Sequence, residues 1–117
     1  MNPDEMKNRT KKFALDIIRL VGLLPKGRTE DVISSQLLRS ATSVGANYRA
    51  ACRAKSTADF ISKMGIVEEE ADESMFWMEM LIESGIIKDE IVQPLFKEAG
   101  ELLAITVSSI KTARLKR

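Results

Sequence analysis

The sequence contains no histidine and only one cysteine, Cys52, among its 117 residues. Zinc sites in proteins are usually built from cysteine and histidine, so the ordinary ligands of a structural zinc ion are missing. One cysteine cannot form a disulfide within the chain, which removes the signature of a small secreted scaffold. Stability must therefore come from a core of apolar side chains, for which this length is sufficient.

Long apolar runs are missing as well. No stretch approaches the roughly 20 apolar residues that a membrane-spanning helix needs, and the first residues lack the basic-then-apolar layout of a signal peptide. We therefore expect a cytoplasmic protein. No segment alternates polar and apolar residues in the manner of a β-strand, and Asn-Gly or Asp-Gly hairpin turns are absent. These absences favour an all-α protein.

Charge is nearly balanced overall but unevenly distributed. The net charge is +1, made up of +4 over residues 1–28, +2 over residues 29–63, −8 over residues 64–90 and +3 over residues 91–117. Such alternation favours charge matching within the chain or between subunits over a uniformly basic nucleic-acid-binding protein. A local basic patch remains open.

Apolar residues recur every three or four positions along most of the chain, which predicts amphipathic helices. Four segments have this pattern, at residues 3–23, 30–54, 57–84 and 90–114. Helices of this length joined by short loops are expected to pack side by side in alternating directions. The sequence thus predicts one domain over residues 1–117, an all-α, antiparallel up-down-up-down four-helix bundle.

Capping residues predict where the helices begin. Asn2 is expected to cap the first helix and Thr29 the second, because both side chains can accept a hydrogen bond from the first helical turn. Ser56, followed three residues later by Asp59, has the spacing of a capping box for the third helix. Pro94 has no amide hydrogen, so we expect it in the first turn of the fourth helix or just before it.

The second helix carries an apolar stripe and, beside it, a polar one. The apolar stripe is Ile33, Leu37, Ala41, Val44, Tyr48 and Ala51, and the polar stripe is Gln36, Ser40, Ser43 and Asn47. If the second and third helices form a hairpin that turns near Lys55, Arg39 should reach Glu70 or Glu73. A carboxylate in a bundle core needs partners, so Glu68 is expected to accept hydrogen bonds from the polar stripe.

The acidic run 68–73 on the third helix allows two interpretations. Paired carboxylates can hold two metal ions, but ferritin-like sites use a Glu-x-x-His motif and this chain has no histidine. A solvated face with one or two interhelical partners is therefore the favoured interpretation, and no metal or cofactor is expected. The chain also lacks a Gly-rich phosphate loop and a nucleophile elbow, so we do not expect an enzyme.

Every charged residue in the span 32–58 is basic. Arg39, Arg49, Arg53 and Lys55 in this span are the best candidates for contact with phosphate groups. Solvated cations, or salt bridges to the acidic third helix, are an equally good explanation. The basic residues of the tail 111–117 either complement the dipole of a helix C-terminus or add to a nucleic-acid surface.

The polar stripe also carries a resemblance to a known family. Gln36, Leu37, Ser40, Ser43 and Asn47 form a Gln-Leu-x-x-Ser-x-x-Ser-x-x-x-Asn pattern, with Asp59-Phe60 and the glutamate-rich stretch 68–74 downstream. This combination resembles the bacterial four-helix-bundle family named for the protein encoded in intervening sequences of 23S ribosomal RNA. The resemblance spans nearly the whole chain. It implies an up-down bundle and a ring-like homo-oligomer, with a pentamer as the expected number.

Many members of that family continue the asparagine with an Ala-Glu-Gly type of ending, whereas here Arg49 to Ala54 follow. A role tied to that acidic residue is therefore not expected in this chain. The sequence also resembles the accessory protein of diversity-generating retroelements, which implies nucleic acid and a reverse transcriptase as partners.

Two functions follow as hypotheses. The first is a non-enzymatic oligomeric protein that contacts RNA or DNA through Arg49, Arg53 and Lys55, with Arg39 and the tail cations as further candidates. The second is a protein-interaction scaffold with no nucleic-acid role, whose ring presents helix faces to another protein.

Overall fold

Four α-helices follow one another along the chain. A computed structural model describes residues 1–116 and contains no strand within them. The helices are α1 (Pro3–Val21), α2 (Arg28–Cys52), α3 (Thr57–Ser84) and α4 (Asp89–Leu115). The predicted all-α class is confirmed, and the predicted helix ends are correct to within two residues.

The helices pack as a square around one core. Within residues 1–116, α2 contacts α1 and α3, and α4 contacts α3 and α1, whereas the diagonal pairs α1–α3 and α2–α4 do not meet. This pattern is that of an up-down bundle, which measures 47 × 21 × 21 Å. None of the helices in the described part is long and apolar enough to cross a bilayer.

The core is built from the stripes that the sequence predicts. All six residues of the apolar stripe on α2 are buried, and the largest fully buried side chains come from all four helices. At Gly45 the backbones of α1 and α2 come close, since a Cβ atom added there would lie 3.5 Å from the backbone C and O atoms of Thr10. A Cβ atom at this position would make ordinary van der Waals contact with α1.

Two of the predicted helix starts are confirmed. Asn2 Oδ1 accepts a hydrogen bond from the Glu5 amide at 2.9 Å, and Ser56 Oγ accepts one from the Asp59 amide at 3.0 Å. Gly85 ends α3 in the left-handed region, at φ 74°, where glycine is favoured because it has no Cβ atom.

The predicted cap Thr29 is wrong. Helix α2 begins two residues earlier than predicted, at Arg28, with Gly27 in the cap position and no side-chain cap hydrogen bond. The Gly27 carbonyl already accepts the first helical hydrogen bond, from the Asp31 amide at 2.9 Å. Thr29 therefore lies inside the first turn, where the acidic side chains that follow it complement the helix dipole.

The prediction for Pro94 is also wrong, because this proline lies inside α4 as its sixth residue. A proline at this position removes one helical hydrogen bond, to the carbonyl of Glu90. Both residues are exposed, so water can hydrogen-bond to that carbonyl. The helix therefore continues through the proline.

Candidate functional site

Arg39 bridges α2 and α3, as the sequence predicts. Its guanidinium donates to Glu70 Oε2 at 2.9 Å and to the carboxylate of Glu73. Trp77 Nε1 also donates to Glu73, at 3.0 Å. The hydrogen bonds from Arg39 and then Trp77 hold the pKa of Glu73 below its usual range. The charge of Arg39 is therefore matched within the chain, which separates it from the other three predicted cations.

Arg49, Arg53 and Lys55 lie together where α2 ends and turns into α3. All three side chains are exposed, and none forms an ion pair with any residue between 1 and 116. Arg49 is in the last turn of α2 and Arg53 is its C-cap. The helix dipole stabilises positive charge at both positions. The turn thus presents to solvent three positive charges that form no ion pair within residues 1–116.

Asp59 is the acidic residue closest in sequence to this turn, and it is already engaged. Its carboxylate accepts hydrogen bonds from Lys63 Nζ at 2.6 Å and from the Lys55 amide at 3.0 Å. These contacts, with Lys63 as the larger cause, hold the pKa of Asp59 below its usual range. The carboxylate therefore pairs with Lys63 and completes the start of α3, and the nearby charge of Lys55 makes a smaller contribution to the lowered pKa of Asp59.

The end of α4 lies beside this turn. Lys111, Arg114 and Lys116 are exposed there, whereas Arg117 is outside the described residues. A cleft of about 770 Å³ separates the two elements, and Lys7 of α1, Lys55 and Lys116 all line it. We call it the end cleft.

This end of the bundle has an excess of positive charge. Residues 1–8, 48–60 and 108–116 carry seven Lys or Arg and three Asp or Glu side chains. The end is formed by three separate stretches of chain, so their common charge follows from the fold and is not a feature of one segment.

The predicted polar network around Glu68 is wrong. Within residues 1–116 no hydrogen bond joins Glu68 to Ser40, Ser43 or Asn47; Asn47 Nδ2 donates to the Ser43 carbonyl of its own helix at 2.8 Å. Ser40 Oγ instead accepts a hydrogen bond from Ser74 Oγ at 3.1 Å. The pairing of α2 and α3 is therefore shifted by about one turn, or four residues, from the predicted register.

Ser74 was missed by the sequence analysis, although it has a detectable signal. It shares the helical spacing of the buried residues Val67, Ala71 and Met78 on α3, so it belongs to the buried face and not to the acidic run. At the surface, Gln36 Oε1 accepts a hydrogen bond of 3.4 Å from Arg39 Nε.

The acidic run of α3 does not converge on a point. In the described part of the chain, no three side chains among His, Cys, Asp and Glu lie close enough together to hold a metal ion. Glu69 and Asp72 are exposed, and Glu70 and Glu73 pair with Arg39. The run is therefore mostly a solvated acidic face on the outside of α3.

Tyr48 and Cys52 lie one turn apart on α2, at the wall of the end cleft. Tyr48 is only 8% exposed, and this burial, with a smaller contribution from the hydrogen bond to Cys52, raises the pKa of the phenol. Burial therefore favours the neutral form of the phenol.

Comparisons with known proteins agree with this architecture. The model of the family described as "23S rRNA-intervening sequence protein" matches residues 4–108. A crystal structure of a protein with unknown function, from the S23 ribosomal protein family of Bacteroides thetaiotaomicron, has a TM-score of 0.87 and 38% sequence identity to the chain. The match covers 95% of this chain and 99% of that one. Among curated proteins no sequence matches the chain.

Proposed function

The chain belongs to the 23S rRNA-intervening sequence protein family, and from this premise we propose that it is a non-enzymatic, oligomeric, cytoplasmic protein that binds RNA or DNA. The binding surface is the positive end of the bundle, centred on Arg49, Arg53 and Lys55. The observation that carries the proposal is that these three cations are exposed and unpaired within residues 1–116. Arg39 contributes less, because two carboxylates already neutralise it.

Unpaired surface cations favour a polyanion over a neutral partner. Each phosphate that a Lys or Arg side chain neutralises releases condensed counterions, and this release drives binding most strongly at low salt. The surface has few exposed aromatic side chains on which bases could stack, since Tyr48 is buried. We therefore expect contacts to the phosphate backbone and little sequence preference.

Fluorescence anisotropy with a labelled, structured RNA tests this function. The affinity of the unmodified protein should fall steeply between 50 and 200 mM salt, as counterion release requires, by about tenfold or more for every few phosphates contacted. In the triple variant Arg49→Gln, Arg53→Gln and Lys55→Gln, the slope of log affinity against log salt should shrink by about 2 to 3.

A matched control lies at the opposite end of the bundle. Lys26, Arg28 and Lys88 are exposed there, and their replacement by glutamine removes the same net charge. This control triple should bind RNA nearly as well as the unmodified protein. Absence of low-salt binding to RNA, or equal losses in the two triples, would contradict the proposed function.

The oligomer in this proposal has a structural basis in α1 and α3. These helices occupy opposite corners of the bundle, and each exposes large apolar side chains, Leu15 and Ile18 on α1 and Ile66 and Phe76 on α3. Lys11, Lys12 and Arg19 follow the apolar face of α1, with Lys12 and Arg19 paired to Asp16. Exposed Glu69 and Asp72 lie along the face of α3. A head-to-tail contact between α1 of one copy and α3 of the next would match these charges. Its repetition would close a ring if the rotation between successive copies closes, and would extend a filament if it does not.

Phe76 also supports a second candidate function, a protein-interaction scaffold. This ring is 48% exposed and packs edge-to-face on Trp77 with the ring centroids 5.0 Å apart. Where this aromatic pair stays outside the contacts between copies, it would be a docking site for a different protein, and a reverse transcriptase remains a prediction from the second resemblance. A pull-down that returns only RNA and no protein would contradict the scaffold function.

A further inference from the structure

The end cleft has the size and the position of a ligand site. Its volume of about 770 Å³ falls within the range of about 300 to 1,000 Å³ that small-molecule sites occupy. It lies where the start of α1, the end of α2, the start of α3 and the end of α4 meet. Neither the family description nor the proposed function assigns a role to it.

The charge of the lining is positive. Lys7, Lys55 and Lys116 line the cleft, and no Asp or Glu is among the lining residues. None of the three lysines forms an ion pair within the described part of the chain. Asp4 is close enough to Tyr48 to contribute to the raised pKa of its phenol, but it stands outside the lining. An anion in the cleft would therefore meet cations on three sides.

Hydroxyl groups complete one wall. Ser108, Ser109 and Thr112 of α4 line the cleft, and within residues 1–116 their hydroxyls have no hydrogen-bond partner. Thr106, one turn earlier, instead donates to the Leu102 carbonyl at 2.8 Å. Three hydroxyls that are not bonded to their own helix are donors for the oxygens of a ligand.

The helix dipoles do not decide whether this cleft attracts anions or cations. Two helix N-termini, of α1 and α3, and two C-termini, of α2 and α4, meet at this end of the antiparallel bundle, so their partial charges largely cancel. The preference for an anion must therefore come from the three lysines and the hydroxyls. Half-buried Phe60 and the edge of Tyr48 supply an apolar surface beside them.

We propose that the end cleft binds a phosphomonoester whose oxygens meet the lysines and hydroxyls and whose organic part lies against Phe60. A free nucleotide and the phosphorylated end of a nucleic-acid strand both present this chemistry. Binding of a strand end rests on the proposed nucleic-acid function, whereas binding of a free nucleotide does not.

The test compares ligands that differ only in the phosphate. One RNA oligonucleotide is prepared with a 5′-phosphate and with a 5′-hydroxyl, and AMP is compared with adenosine by isothermal titration calorimetry. A terminal phosphate held by charge-assisted hydrogen bonds should strengthen binding by about tenfold in at least one of these pairs.

Variants outside the α2–α3 turn keep this test separate from that of the proposed function. Lys7→Gln and Lys116→Gln should each abolish most of the phosphate preference, because both side chains line the cleft. Lys97→Gln removes an exposed cation of α4 away from the cleft and should preserve it. Circular dichroism establishes that all three variants keep their helical content.

The outcomes discriminate between the two proposals. If RNA binds but neither pair shows a phosphate preference, the end cleft is not a phosphomonoester site and the proposed function stands. If no RNA binds but AMP binds and Lys7→Gln abolishes that binding, the site stands and the proposed function fails. A phosphate preference that survives both lysine variants would overturn the assignment to this cleft.

Discussion

Arg9 connects the helix pair with the least extensive contact, α1 and α4. Its guanidinium donates to both oxygens of Glu98 at 2.7 Å and to Glu101 at 2.7 Å. The side chains of Arg9 and Glu98 are only 26% and 28% exposed, so the pair is better shielded from water than most surface ion pairs. The hydrogen bond that Arg9 donates to Glu98 is the main cause of the raised pKa of Arg9.

Replacement of Arg9 tests how much this contact stabilises the bundle. Arg9→Gln leaves two carboxylates of α4 without their partner, and we expect the free energy of unfolding to fall by about 1 kcal/mol. Lys11→Gln makes the same charge change at an exposed position of α1. This variant should alter the free energy of unfolding by less than about 0.5 kcal/mol. Urea unfolding followed by circular dichroism measures both. Equal effects would show that net charge and not the bridge matters.

The reach of a side chain decides which residue contacts were predictable. The predicted register of α2 and α3 was displaced by about one turn, which is about 5.4 Å along a helix. Arg39 has a long side chain, so its contacts with Glu70 and Glu73 survive this displacement. A serine hydroxyl has no such reach, and Ser40 therefore meets Ser74 and not the predicted Glu68.

At the scale of the elements, the two helix starts predicted from hydroxyl residues offer a direct comparison. Ser56 accepts the capping hydrogen bond of α3, whereas α2 has no side-chain cap and Thr29 lies within its first turn. Ser56→Ala should therefore lower the free energy of unfolding by about 1 kcal/mol. Thr29→Ala should leave it nearly unchanged.

Thermal and urea unfolding of the two alanine variants measure this difference. Both positions are exposed, so neither substitution leaves a cavity in the core. If Thr29→Ala were as destabilising as Ser56→Ala, the threonine would be capping α2 after all, and the start of this helix at Arg28 would be wrong.

The existence of each helix was predictable, whereas its ends were less so. The apolar spacing extends over many turns, and burial of such a face outweighs the preference of any single residue. An end depends on one or two hydrogen bonds. At α2 the Gly27 carbonyl begins the helical hydrogen bonds before Thr29, and at α4 the exposed position of Pro94 allows the helix to pass through it.

At the scale of the molecule, the up-down topology creates the candidate site. It brings the end of α4 beside the α2–α3 turn, so cations about 60 residues apart in sequence share one end. Sequence patterns identified the cations of the α2–α3 turn and of the tail, because they lie in segments without acidic residues, whereas Lys7 follows two acidic residues and was missed. The end cleft was not predictable, because its volume depends on how four helix ends are spaced and not on the pattern of any one of them.

The assembly of several copies into a ring is a prediction about the whole molecule. A chain of 13.1 kDa that assembles through α1 and α3 should have a mass several times this value by light scattering. Ile18 is 48% exposed on α1, and Ile18→Glu would place a negative charge against the acidic α3 of the neighbouring copy. Removal of apolar area and repulsion between like charges both disfavour the contact between copies. This variant should therefore have a smaller mass than the unmodified protein by light scattering.

A control variant makes this prediction specific to the proposed faces. Val32 is 53% exposed on α2, and Val32→Glu is the same kind of change outside α1 and α3, so this variant should keep the mass of the unmodified protein. A monomeric mass for the unmodified protein at micromolar concentration would contradict the ring. Because counterion release depends on the cations of each chain, a monomer could still bind RNA, but without the gain in affinity that several linked sites give.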